Sequence, residues 1–102
     1  MKLNVLNRLQ ILQVLPKEGS IVMLKVLRDL QSKVGLTSEE AVEFGIKQDG
    51  EHINWNAKGN EGKDFEFTVK EEEMIKDALA KLEKEKKLNL AQIDLYEKFM
   101  EE

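Results

Sequence analysis

The chain of 102 residues contains no cysteine, one histidine and one proline. Without cysteine there is no disulfide framework, no thiolate metal site and no Cys nucleophile. The single histidine, His52, cannot build a His-rich metal site or a two-His relay. Serine occurs only at Ser20, Ser32 and Ser38. Two of these fall at expected helix starts, and no nucleophile elbow accompanies them, which disfavours a Ser–His–Asp hydrolase. No run approaches the ~18 apolar residues that a membrane-spanning helix needs. Asn4, Asn7, Arg8, Gln10 and Gln13 interrupt the first apolar residues, so no signal-peptide core is expected and a cytoplasmic location is. No cofactor or metal is called for, and the chain is not expected to be an enzyme.

What is present suffices for one core. Apolar residues make up 41% and charged residues 35%. A chain of this length buries roughly 65% of the surface its unfolded form exposes, enough for a single domain over residues 1–102. The net charge is −4, so a whole-chain basic footprint for nucleic acid is absent. The charge is unevenly spread. Residues 1–36 hold six basic and two acidic groups, residues 37–73 four and eleven, and residues 74–102 six and seven. The middle third is an acidic block, read either as a solvated face or as a surface for a basic partner.

Leu6, Leu9, Leu12 and Leu15 recur at near-helical spacing, which predicts a helix over 3–15 that Pro16 ends. Ser20 is a plausible N-cap for a second helix, with Met23, Val26, Leu27, Leu30 and Val34 on one face and Gly35 as a left-handed C-terminal cap. Thr37 and Glu40 fit a capping box that starts a short helix to about Phe44 or Gly45. The period then changes to two. Asp49-Gly50 predicts a hairpin with a type I′ turn, setting Gln48 opposite Glu51, Ile46 opposite Ile53 and Phe44 opposite Trp55. Phe65, Phe67 and Val69 predict a third strand. Thr68 and Glu71 again have capping-box spacing and open a long helix to about Lys86, with Met74, Ile75, Ala78, Leu79 and Leu82 inward. Asn89 with Gln92 caps a last helix bearing Ile93, Leu95, Tyr96, Phe99 and Met100. The expected class is α+β: N-terminal helices, a three-stranded antiparallel sheet covered on one face, and two C-terminal helices.

Few motifs carry chemistry. His52 falls on the polar side of the hairpin with Lys47 and reads as an exposed strand residue. Gly59-Asn60-Glu61-Gly62-Lys63-Asp64 departs from a Walker loop at Ala57 and Asp64 and leads into a strand, so it reads as a plain connection. Three helices followed by a hairpin outline a winged helix, but the helix that would enter the major groove carries Glu39, Glu40 and Glu43 and no base. DNA binding stays open only through the basic N-terminal third. The first and last helices carry stripes wider than one buried seam needs. Each is either wedged between two neighbours or offers apolar surface to a second copy or another protein.

Four features carry a resemblance: the Leu15-Pro16-Lys17-Glu18-Gly19 turn, the Leu36-Thr37-Ser38-Glu39-Glu40 box, the isolated Trp55 and Leu95-Tyr96-Glu97-Lys98-Phe99. On these residues the chain resembles small uncharacterised proteins encoded in phage and prophage genomes of Gram-positive bacteria. The resemblance implies an accessory role: binding and occluding a host or defence protein, or serving in the virion. It carries no site residues with it. The expectation is a non-enzymatic protein-binding module with an unidentified protein partner and no membrane. Its candidate contacts are Glu39, Glu40 and Glu43 on the acidic face and Leu95, Tyr96 and Phe99 on the last helix. A winged-helix-like DNA-binding regulator and a homo-oligomeric structural protein are the alternatives.

Overall fold

The structure, a computed structural model, describes residues 1–101. A short strand β1 (Lys2–Leu3) leads into helices α1 (Val5–Val14), α2 (Ile21–Val34) and α3 (Ser38–Glu43). A hairpin of β2 (Lys47–Asp49) and β3 (His52–Asn54) follows, then a 3-10 turn at Ala57–Asn60 and strand β4 (Lys63–Asp64). Helix α4 (Val69–Lys84), a 3-10 turn at Leu90–Gln92 and helix α5 (Ile93–Met100) complete the α+β chain.

The helix starts follow local chemistry. Ser20 caps α2, and the boxes Thr37/Glu40 and Thr68/Glu71 cap α3 and α4. Asn89/Gln92 caps the 3-10 turn before α5. A further box, Asn4/Asn7, starts α1, where the sequence shows only polar interruptions. Each side chain satisfies a backbone N–H that the first helical turn leaves without a partner.

The expected single sheet does not form. Two separate two-stranded antiparallel sheets are present, β1 with β4 and β2 with β3. The third strand, expected over Phe65–Val69, pairs earlier, Lys63 with Leu3 and Asp64 with Lys2. Phe65 and Phe67 are instead used by the core. Their rings stack 6.3 Å apart and Phe67 lies 5.9 Å from Phe99, so this segment lines the helices and not the hairpin.

The hairpin turn is also displaced. Asp49 pairs with His52 and Gln48 with Ile53, which leaves Gly50 and Glu51 as the turn residues. Only Gly50 of the two has positive φ, +64°, the requirement of a type II′ and not a type I′ turn. The shift is even in register, so Ile46, Ile53 and Trp55 still share a face. That face is not covered by helices: every residue of β2 and β3 is exposed.

The core gathers Leu3, Ile11, Leu15, Leu27, Leu30, Val34, Phe65, Ile75, Leu79, Leu95 and Phe99. Helix α1 lies centrally and contacts α2, α4 and α5. Surrounded in this way, it buries Val5 and Ile11 together with Asn7, Arg8 and Gln10, while Leu6 on the predicted stripe is exposed.

The helix ends differ in kind. Gly35 is extended (φ −63°, ψ 148°) and does not form the left-handed cap expected of it. Gly45 (φ +60°) does, after α3: its N–H donates to Val42 O and that of Ile46 to Ala41 O. Helix α4 ends in the same pattern, with Lys86 N–H to Glu83 O and Lys87 N–H to Leu82 O, but the left-handed residue is Lys86 (φ +57°). A Cβ in that region is strained, and glycine relieves it. Lys86→Gly is expected to raise unfolding stability by about 0.5–1 kcal/mol. Urea denaturation checks this through a higher midpoint at unchanged slope.

Candidate functional site

Arg8 is the largest fully buried side chain, 2% exposed. Its guanidinium meets the Glu40 carboxylate through two contacts of 2.8 Å, Nη1 to Oε2 and Nη2 to Oε1. Its Nε donates to Val34 O and its Nη2 to Gly35 O, each at 2.8 Å. These are carbonyls at the C-terminal end of α2, where a helix lacks internal donors and favours a cation. The group also lies 5.1 Å from the centre of the Phe65 ring. One side chain thus joins the end of α2 to the start of α3, and this is why Gly35 needs no left-handed turn.

Glu40 is saturated in return. Oε1 also accepts from Thr37 N–H, and Oε2 lies 3.4 Å from Lys63 Nζ. The Arg8 hydrogen bonds, outweighing burial, pull its pKa from 4.5 down to about 2. Glu71 repeats the design at the start of α4. Burial acts to raise its pKa, but Lys33 Nζ at 2.6 Å and Thr68 N–H together leave it lowered. The other buried polar groups of α1 reach the C-terminal segment, Asn7 to α5 and Gln10 to the 3-10 turn before it. Asn7 donates to Asp94 Oδ2 and accepts from Lys98 Nζ, and Gln10 donates to Ala91 O at 2.7 Å while its Oε1 has no partner.

These networks reassign the candidates. Glu40 is engaged with Arg8 and is not free for a partner. Glu39 and Glu43 are exposed, but Lys58 and Lys63 share the hollow of about 390 Å³ beside Glu43, so this part of the acidic block is mixed in sign. On α5, Leu95 and Phe99 are core residues and Tyr96 is half-buried, which corrects the expectation of an open apolar stripe there. The wedged arrangement holds for α1. Of the six bases in residues 1–36, Arg8 and Lys33 are taken up in internal ion pairs. His52 is exposed. Among the described residues no group of three or more His, Cys, Asp or Glu side chains could hold a metal ion, and no helix is long and apolar enough to cross a membrane.

The free apolar surface lies elsewhere. A groove of about 590 Å³ runs between α2 and α4 and reaches Val14 and Pro16 at the end of α1. Val22, Met23 and Val26 line one wall, Met74, Ala78 and Leu82 the other. The origin is a mismatch of widths. Leu27 and Leu30 on α2 and Ile75 and Leu79 on α4 are buried, while the outer halves of both apolar stripes find no cover. At the head of α2, Ile21 is 67% and Val22 71% exposed, and Met23 and Leu24 are each 38% exposed. A contiguous patch of this kind marks an interaction surface more often than scattered apolar residues do. Sequence reading passed over it, although four consecutive apolar residues turning about 100° each cannot all face one core.

Arg8→Ala strands the Glu40 carboxylate and two helix-end carbonyls, and is expected to cost about 3–5 kcal/mol in urea unfolding. Acid acts through the same pair. Glu40 titrates lower when folded, so its contribution is complete above pH 4.5 and is lost as pH falls toward about 2. The loss amounts to about 3 kcal/mol. Unfolding measured between pH 6 and pH 2, the acid-side span that contains this titration, is expected to show a shallower acid limb in Glu40→Gln than in the native chain.

No protein-family model, curated protein or solved structure matches the chain.

Proposed function

We propose that the protein is a non-enzymatic binding module that docks a helical segment of another protein chain in the groove between α2 and α4. The observation that carries this reading is the groove itself, apolar on both walls and continuous with exposed Ile21 and Val22. An amphipathic helix suits it, since such a helix inserts a row of apolar anchors between two others. Met23 and Met74 add adaptable side chains at the contact, a property of surfaces that accept varied partners. The reading moves the working surface away from Glu39, Glu40 and Glu43 and from Leu95, Tyr96 and Phe99. A phage-type accessory role belongs to the same proposal, because such a role is performed by occupying another protein's surface.

A winged-helix regulator draws less support. The order of α1, α2, α3 and hairpin suits it, but α3 presents Glu39 and Glu43 where bases would meet phosphate. The basic third has also given Arg8 and Lys33 to internal pairs.

The test compares Val22→Asp with the pair Glu39→Lys/Glu43→Lys. All three positions are exposed, so the fold is not at risk. Partners are recovered on the immobilised protein from a bacterial lysate, with and without nuclease, and are then titrated by calorimetry. Val22→Asp is expected to weaken binding at least about tenfold, and the charge reversals to leave it nearly unchanged. Binding indifferent to Val22→Asp, or abolished by nuclease, overturns the reading.

A further inference from the structure

We propose that the Asp49-Gly50 step of the hairpin is a site of spontaneous covalent modification, where aspartate rearranges to isoaspartate while the helical core stays folded. The step lies away from the α2–α4 groove, which no hairpin residue lines. The Gly50 nitrogen attacks Asp49 Cγ. The N–Cγ bond forms, and the proton of that nitrogen leaves with the carboxyl hydroxyl as one water. Hydrolysis of the resulting five-membered succinimide takes one water back. Breaking the N–Cγ bond restores aspartate. Breaking the bond from Gly50 N to the Asp49 backbone carbonyl carbon leaves the chain running through Cβ and Cγ, which is isoaspartate. Mass and charge are unchanged, and no oxidant or further reactant is consumed.

The attack needs a following N–H that is not hydrogen-bonded and a following residue that leaves room for close approach, which glycine does best. The chain has five aspartates, and the structure opens one of them. Asp29 and Asp77 lie inside α2 and α4, where the next N–H is bonded along the helix. Asp94 is followed by Leu95, which is fully buried. Asp64 is followed by Phe65, whose N–H donates to Met1 O at 2.9 Å. Asp49 alone precedes a glycine, and no atom lies within 4 Å of where a Cβ on Gly50 would be. Outside the strand ladder only the Gly50 carbonyl is engaged, by Gln48 Nε2 at 3.3 Å. Among the described residues the Gly50 N–H and the Asp49 carboxylate are therefore free. No asparagine precedes a glycine, and the side-chain oxygens of Asn4, Asn7, Asn56, Asn60 and Asn89 already accept hydrogen bonds. Ring closure must open the Asp49–His52 pair that closes the hairpin. That opening is local, because every residue of β2 and β3 is exposed and the core takes no residue from them. Isoaspartate adds a backbone methylene on one side of this pair, which breaks the register at the turn and leaves the helices untouched.

The full chain is held warm at neutral pH for several weeks. Isoaspartate is then read by methyl transfer from S-adenosylmethionine with a purified isoaspartyl methyltransferase, and placed by peptide mapping. It is expected at residue 49 and not at the other four aspartates, with amide-exchange protection lost at His52 and retained at Ile11 and Leu30. Asp49→Glu is expected to abolish it, because the ring would be six-membered. Asp49→Asn is expected to speed it at least about tenfold, because an amide nitrogen leaves more readily than a carboxylate oxygen at neutral pH. Position 49 is exposed, so neither variant puts the fold at risk. Absence of isoaspartate at residue 49 overturns the inference. So does its appearance at the other aspartates to the same extent, or a rate more than about tenfold below that of a free peptide of residues 44–56. Loss of protection at Ile11 and Leu30 alongside the modification overturns the claim that the core is spared.

Discussion

A guanidinium lies inside this molecule, and the surrounding structure is arranged to neutralise its charge. Arg8 is placed in the interior because α1 is surrounded by other helices, and an ion there is tolerable only when paired and hydrogen-bonded. Glu40 supplies the opposite charge, Val34 and Gly35 supply carbonyls, and Phe65 supplies a ring face. Those four partners come from the end of α2, the start of α3 and the segment after β4. Their positions are therefore coupled through one side chain. Such a pair is a weak source of net stability compared with well-packed apolar residues. What it supplies here is definition: the turn from α2 to α3 has one geometry that satisfies all the groups.

The same arrangement accounts for the exposed groove. With α1 as the hub, α2 and α4 each turn inward the part of their apolar stripe that reaches α1 and one another. Their stripes are wider than that contact. The surplus, Met23 and Val26 on one side and Met74, Ala78 and Leu82 on the other, is left facing outward in a continuous channel. The polar interior and the apolar exterior are two results of one topology: a central helix buries its polar side chains, and the helices around it leave apolar ones uncovered.

Legibility in the sequence followed the range of the interaction. Capping boxes at Thr37/Glu40 and Thr68/Glu71, the stop at Pro16 and the existence of a hairpin near Gly50 depend on neighbours within a few residues, and all were readable. The second duty of both box glutamates was not, because Arg8 and Lys33 lie more than thirty residues from them. Asn7, Arg8 and Gln10 read only as interruptions among the first apolar residues, since nothing local shows which groups α1 will meet when wedged between its neighbours. The pairing of β1 with β4 depends on residues about sixty positions apart, and the alternation of Phe65 and Phe67 matched a strand and a core-lining segment equally well. The candidate site was half visible. The apolar positions of α2 and α4 were named as inward, and which of them stay uncovered depends on helix spacing that no pattern encodes.

The polar contacts of α1 also impose an order on assembly. Asn7 and Gln10 find their partners at Asp94, Lys98 and Ala91, separated by 81 to 91 residues of chain. During synthesis these amides remain hydrated until that distant stretch has left the ribosome. Closing so long a loop is entropically slow, and the first helix, though capped and able to form early, cannot settle into a dry interior beforehand. Until residues 91–98 have emerged, the polar face of α1 thus stays open to solvent and to chaperones.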